Sequence, residues 1–155
     1  MSTDDHELPV NTLPSTVRSL PIALIRAREG VMTPIREMLE PTGLTEQQWR
    51  VLRVLDERGA QDASTLADRA SLLFPSLTRI AQTLQKKGLV HQKRDEADRR
   101  RQIIDIAPEG RQIIADNTER AAQIAEEFKK TLGPENYETL LDLLAMLRRD
   151  GGDRA

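Results

Sequence analysis

Pro75-Ser-Leu-Thr-Arg-Ile-Ala-Gln-Thr-Leu-Gln-Lys-Lys-Gly88 runs directly into Leu89-Val-His-Gln-Lys-Arg94 and then Asp95-Glu-Ala-Asp-Arg-Arg-Arg101, and these residues decide the fold. Leu77, Ile80 or Ala81, and Leu84 recur at helical spacing. One face of this segment is therefore buried, and Ser76, Thr78, Arg79, Gln82 and Lys86 lie on the opposite one. Pro75 fits the first turn, and Gly88 supplies a left-handed stop with Lys86 and Lys87 against the negative end of the helix dipole. Residues 89–94 and 102–106 are short and rich in apolar or β-branched side chains, which predicts an antiparallel hairpin around the charged loop. Upstream, Asp62 is a candidate N-cap for a short helix carrying Leu66, Ala67 and Ala70, and Leu72, Leu73 and Phe74 form an apolar elbow. Residues 66–106 thus read as a winged helix-turn-helix, whose polar helix face and cationic loop suit a DNA groove and the adjoining backbone.

Outward from this unit the chain is helical. Residues 1–18 are polar, contain Pro9 and Pro14, and read as an extended or mobile arm. Leu24, Val31, Ile35 and Met38 mark a helix over residues 20–40, with Arg28 on the same stripe and a kink expected at Pro34. Thr45 and Gln48 have the spacing of a capping box. The helix they open has Leu44, Gln48, Val51, Leu52 and Leu55 on its core stripe, Trp49 and Arg53 on a neighbouring face, and Gly59 as its stop. Residues 108–132 form one long helix carrying Ile113, Ile114, Ala121, Ile124, Ala125 and Phe128, about 35 Å long at about 1.5 Å per residue. After Gly133-Pro134, a last helix bearing Tyr137, Leu140, Leu141, Leu143, Leu144, Met146 and Leu147 has little polar face, and a second subunit is the natural source of cover. Residues 150–155 read as a frayed tail. The predicted class is mainly α with a small β-hairpin, a winged helix-turn-helix on a helical dimerisation domain.

Composition removes several functions. The 155 residues include 31% charged and 3% aromatic side chains, as in a soluble helix-rich protein, and no cysteine, which excludes disulfides, thiol sensing and thiolate metal sites. His6 and His91 are too few for a zinc cluster, no cofactor is expected, and no apolar run reaches membrane-spanning length, so the expected compartment is the cytoplasm. The formal net charge of −2 makes no global case for nucleic acid. Locally, Arg79, Lys86, Lys87, Lys93, Arg94, Arg99, Arg100 and Arg101 face only Asp95, Glu96 and Asp98.

On this basis the DNA-contact candidates are Ser76, Thr78, Arg79, Gln82, Lys86, Arg94, Arg99, Arg100 and Arg101. Arg79 is suited to bidentate reading of a guanine, and Asp98 is expected to pair with Arg100 or its neighbour so that another wing arginine enters the minor groove. Arg28 on an apolar stripe needs an anion, from the protein or from a ligand. Arg18, Arg28, Met32, Trp49 and Arg53 are therefore the candidates for binding a small effector, against the plainer readings of an internal ion pair for Arg28 and a core position for Trp49. No Ser/His/Asp set, metal cluster or glycine-rich phosphate loop supports an enzyme. A regulator that binds DNA without an effector, or a winged-helix module that meets an acidic protein, stays open.

The order Leu44-Thr-Glu-Gln-Gln-Trp-Arg-Val-Leu-Arg53, Pro75-Ser-Leu-Thr-Arg79, Lys87-Gly-Leu-Val90, Asp95-x-x-Asp-Arg-Arg100 and Pro108-Glu-Gly-Arg111 resembles the multiple-antibiotic-resistance regulator (MarR) family from about residue 20 to residue 147. Leu20-Pro-Ile-Ala-Leu-Ile-Arg-Ala-Arg-Glu29 together with residues 44–53 looks like the branch that regulates homoprotocatechuate and related aromatic-acid catabolism. The resemblance implies a single domain over 19–149, with dimerisation helices at 19–40 and 108–149 around a winged lobe at 44–106. It further implies a homodimer that reads a pseudo-palindromic operator on double-stranded DNA, as a repressor released by a small anionic aromatic or phenolic acid. Ala107 departs from the threonine that relatives often place before Pro-Glu-Gly, which removes a helix cap worth roughly 1 kcal/mol.

Overall fold

Local chemistry sets the element boundaries of the computed structural model, which describes residues 12–148. Residues 1–11 of the expected arm and the tail over 150–155 lie outside the described residues; within the arm, Thr16–Arg18 forms a 3-10 turn. Helix α1, Leu20–Leu39, carries Pro34 inside it. The chain divides at Pro34 into two units, the first ending there and the second beginning at Ile35, and each is described by itself. In the first, Leu20, Leu24, Ile25 and Val31 are exposed.

The second unit holds the remaining elements. Helix α2, Glu46–Arg58, starts at the expected capping box, in which the Gln48 amide donates to Thr45 Oγ1 and the Thr45 amide to Gln48 Oε1, both at 3.1 Å. It stops at Gly59, whose positive φ of 79° is one that glycine adopts without a side-chain penalty. Strand β1, Gln61–Asp62, leads into α3, Ala63–Arg69, then α4, Phe74–Lys86, and the wing strands β2, Val90–Arg94, and β3, Gln102–Ile106. Helices α5, Pro108–Leu132, and α6, Pro134–Met146, complete the order.

The expected two-stranded hairpin is present but is not the whole sheet. All pairings are antiparallel in the order β1-β3-β2, with Gln61 opposite Ile104 and Val90 opposite Ile106. Two polar residues carry no strand periodicity of their own; β1 exists because β3 offers it a free edge. One apolar cluster joins the elements: Leu52 and Leu55 from α2, Leu66 from α3, Leu77 and Leu84 from α4, Val90 and Ile104 from the sheet, and Ile114 from α5. Trp49, expected beside Arg53, belongs to this cluster at 6% exposure, whereas Arg53 is exposed. The apolar elbow is also only partly buried. Leu72 packs on the core, but Leu73 and Phe74 remain 77% and 52% exposed, since three consecutive residues cannot all point inward.

Two side-chain constraints lock this unit. The first turn of α5 passes so close to β2 that a Cβ at Gly110 would overlap the carbonyl oxygen of Leu89 and lie 2.9 Å from Ile106 Cγ1. Asp62 caps α3, its Oδ1 accepting the Thr65 amide at 2.9 Å, while its Oδ2 accepts the Thr65 hydroxyl at 2.9 Å and the Arg101 guanidinium at 2.7 Å. The Thr65 amide is the main cause that holds the Asp62 carboxyl below its usual range; desolvation opposes it and Arg101 adds to it. Ala107, as expected, gives α5 no side-chain cap.

Gly110→Ala should lower the unfolding free energy by about 1–3 kcal/mol, because backbone must shift to admit the methyl group; urea unfolding measures it. Asp62→Ala should cost about 1 kcal/mol at neutral pH. The folded state favours the ionised carboxyl, so this contribution is complete above the unfolded value near 4 and is lost as pH falls through the lower folded value. Unfolding curves of wild type and variant should therefore converge below about pH 4.

Candidate nucleic-acid interface

Helix α4 turns Leu77, Ala81 and Leu84 into the core and leaves Thr78, Arg79, Gln82 and Lys86 exposed, with Ser76 half-buried. Helical spacing divides these residues into two stripes, Thr78–Gln82–Lys86 and Ser76–Arg79–Thr83. The Thr78 hydroxyl donates to the Phe74 carbonyl at 3.0 Å, so its proton is engaged, and its methyl group and oxygen lone pair are what it offers a partner. Pro75 sits in the first turn, and Leu73 at the N-cap makes no side-chain capping bond. The first-turn amides are left for an outside acceptor such as a phosphate.

The wing tip folds on its own carboxylates. Asp95 Oδ1 accepts the Ala97 amide at 3.0 Å, and the Asp95 amide donates to the Arg101 carbonyl at 2.9 Å. Asp98 was expected to hold an arginine side chain; its Oδ1 instead accepts the backbone amide of Arg100 at 3.1 Å, the local turn geometry that aspartate favours. Arg94 Nη1 donates to the Arg99 carbonyl at 3.3 Å. With Asp95 and Asp98 engaged in this way, Arg99 and Arg100 are exposed and have no ion pair among the described residues.

Arg101 stands differently. Its Nη2 lies 2.7 Å from Asp62 Oδ2 and its Nη1 3.9 Å from Asp95 Oδ2, and the bond to Asp62 is the first cause of a raised guanidinium pKa. No sequence pattern pointed to this pair, because its members are 39 positions apart.

Between α4 and the wing lies a cleft of about 270 Å³, bordered by Thr78 and Gln82 on one side and Gln92, Arg100, Arg101 and Gln102 on the other. Ser64 and Phe74 close one end. Gln92, Gln102, Ser64 and Phe74 were not legible as site residues, since each belongs to the cleft only through the pairing of β2 with β3 and the packing of α3 on α4. The arrangement places Thr78 and Gln82, the first turn of α4 and the Arg100 guanidinium around one groove, with Arg79 and Arg99 exposed outside its lining, a combination suited to a polyanion with readable edges.

The effector candidates are spread along the chain. Arg18 ends the 3-10 turn, Arg28 and Met32 are one helical turn apart on α1, and Trp49 and Arg53 are one turn apart on α2. Arg28 is not a free cation, and Trp49 is buried in the core, so an aromatic ligand would meet Trp49 only after repacking. Among the described residues, no group of three His, Cys, Asp or Glu side chains is placed to hold a metal, and no helix is long and apolar enough to cross a membrane.

Comparison with known proteins agrees with this geometry. Residues 44–101 match the model of the MarR family. The chain is 38% identical over 131 residues to the HTH-type transcriptional regulator FarR of Neisseria gonorrhoeae, covering 84% of this chain and 90% of the relative. It is 35% identical over 129 residues to the homoprotocatechuate degradative operon repressor of Escherichia coli, covering 83% and 85%. Among solved structures, NadR in complex with 4-hydroxyphenylacetate is similar at 36% identity and a TM-score of 0.77, over 90% of this chain and 99% of that one. The transcriptional repressor CouR bound to a 23-mer DNA duplex is similar at 26% identity and a TM-score of 0.77, over 89% and 100%. A winged helix-turn-helix with these motifs in this order, and with identity of this extent along nearly the whole of its relatives, makes the chain a member of the MarR family of transcriptional regulators.

Proposed function

We propose that the chain is a cytoplasmic, dimeric, sequence-specific repressor whose α4 helix enters the major groove of a pseudo-palindromic operator while the wing lies along the neighbouring minor groove. The observation that carries this reading is the cleft between α4 and the wing, with Thr78 and Gln82 of α4 on one side and Arg100, which has no ion pair among the described residues, on the other. Arg79 and Gln82 are the base readers, with Thr78 offering its methyl group to a thymine. Ser76 donates a hydrogen bond to phosphate, and Lys86, Arg94, Arg99 and Arg100 neutralise phosphate or enter the minor groove.

The dimer rests on uncovered apolar surface. Leu140, Leu141, Leu143, Leu144, Met146 and Leu147 of α6 and its C-terminal end are all exposed in the single chain, as are Leu20, Leu24, Ile25 and Val31 of α1. A monomer rarely leaves this much aliphatic surface in water, and a second copy of the same chain covers both faces with closed symmetry. Release by a small aromatic acid is supported by the resemblance to a repressor of an aromatic-degradation operon and to a relative solved with 4-hydroxyphenylacetate. A hundredfold loss of DNA affinity needs only about 2.7 kcal/mol of differential ligand binding between the two forms of the dimer.

Selection from a random-sequence pool should recover a pseudo-palindrome with half-site centres about 10 bp apart. Log affinity should fall against log salt with a slope near −7 to −9, for about eight to ten neutralised phosphates. Arg79→Ala should cost about 1–3 kcal/mol per half-site and relax the preference at one base pair in each. A nearly salt-independent affinity would contradict the electrostatic reading. Adding 4-hydroxyphenylacetate and related phenolic acids should dissociate the complex; persistence of the complex across the series favours a regulator without an effector.

A further inference from the structure

We infer that Arg101 is a positioning residue: paired with Asp62, it fixes the wing against α3 so that Arg99 and Arg100 reach DNA, and it makes no phosphate contact itself. This inference rests on the DNA-binding reading above.

The argument starts from how the wing is held. Its strands are anchored by the ladder up to the Arg94–Gln102 pair, and beyond that the loop bonds to itself, through Asp95 to Ala97 and Arg101 and through Asp98 to Arg100. Arg94 of β2 also donates to the Arg99 carbonyl, but among the described residues the bond from Arg101 Nη2 to Asp62 Oδ2 at 2.7 Å is the one side-chain bond that ties the loop to an element outside the wing hairpin. Asp62 is well chosen as the anchor. It is in β1, opposite Ile103 of β3, and it caps α3, so its carboxylate is already fixed by the Thr65 amide and hydroxyl before Arg101 arrives. A carboxylate with no freedom left to lose imposes its position on the guanidinium.

The pair adds little to stability, since Arg101 is half-exposed and such pairs are screened. Its consequence is geometric. Asp62 and Arg101 both border the cleft between α4 and the wing, and Arg100, the preceding residue, lines the same cleft. Loss of the pair frees the loop to swing, and the ordering of Arg99 and Arg100 must then be met at the moment of binding.

The two roles open to Arg101 predict opposite results. A direct phosphate contact restrained by Asp62 would be released by Asp62→Asn, which would tighten binding. A positioning residue loses its anchor, and binding weakens although a negative charge has been removed. The test uses the full-length chain, the duplex that wild type recovers from a random-sequence pool, and the variants D62N, R101Q, D62N/R101Q and R100Q. Asparagine retains the α3 cap, so D62N keeps the fold, which thermal melting checks.

D62N and R101Q should each weaken binding about tenfold, and the double variant no further, because both remove the same coupling. The salt slope of all three should stay at the wild-type value, whereas R100Q should make it shallower by about 1.8 for its two lost phosphate contacts per dimer. Hydroxyl-radical protection should fade under the wings alone in R101Q. Tighter binding by D62N, a shallower slope for R101Q, additive losses in the double variant, or variants that bind like wild type would each overturn the positioning role. Failure of wild type to bind any duplex would instead overturn the DNA-binding reading on which it rests.

Discussion

The reading surface depends on the burial of one set of aliphatic side chains. Leu52 and Leu55 of α2, Leu66 of α3, Leu77 and Leu84 of α4, Val90 of β2 and Ile104 of β3 are each fully buried and share one cluster. Full burial of such a side chain is worth about 1.5–3 kcal/mol, and here each also fixes the orientation of an element whose other face is polar. Leu77 and Leu84 decide which way α4 is turned about its axis; once they are inside, Arg79, Gln82 and Lys86 have to be outside. The wing is set by the same cluster through Val90 and Ile104, and the close passage of Gly110 under Leu89 fastens the sheet to α5.

On this frame, electrostatics are arranged by subtraction. The chain as a whole is slightly acidic, and its basic residues in the winged lobe are accompanied by carboxylates. Most of those carboxylates are engaged elsewhere, Asp95 and Asp98 on backbone amides of the loop and Asp62 on the cap of α3 and on Arg101, while Glu96 stays exposed at the wing tip. The surface that remains toward a partner carries Arg79, Lys86, Arg99 and Arg100. A local field of this kind attracts a polyanion despite the sign of the net charge.

Much of this was legible because it is encoded by neighbours in sequence. Thr45 and Gln48 are three positions apart, Asp62 and Thr65 likewise, and Gly88 follows its helix directly; capping and turn chemistry act at that range, and helices α2 to α5 were placed from it. The α4 stripes followed from periodicity alone. What stayed hidden depends on distant partners. Strand β1 is two polar residues that become a strand only against β3, and the Asp62–Arg101 pair spans 39 positions. For Trp49 the sequence offers both a ligand-lining and a core position, and the structure has the core one, because a large apolar side chain at the margin of the stripe is drawn inside. Phe74 shows the converse, an apolar residue in an apolar run that the α3–α4 turn leaves in solvent.

The central claim is that α4 and the wing together are the face that meets DNA. Amide hydrogen exchange on the full-length chain, with and without the duplex it selects, tests this directly. The account predicts that added protection concentrates in residues 74–86 and 94–102. Protection confined to α2 and α5, with the α4 and wing amides unchanged, would contradict it.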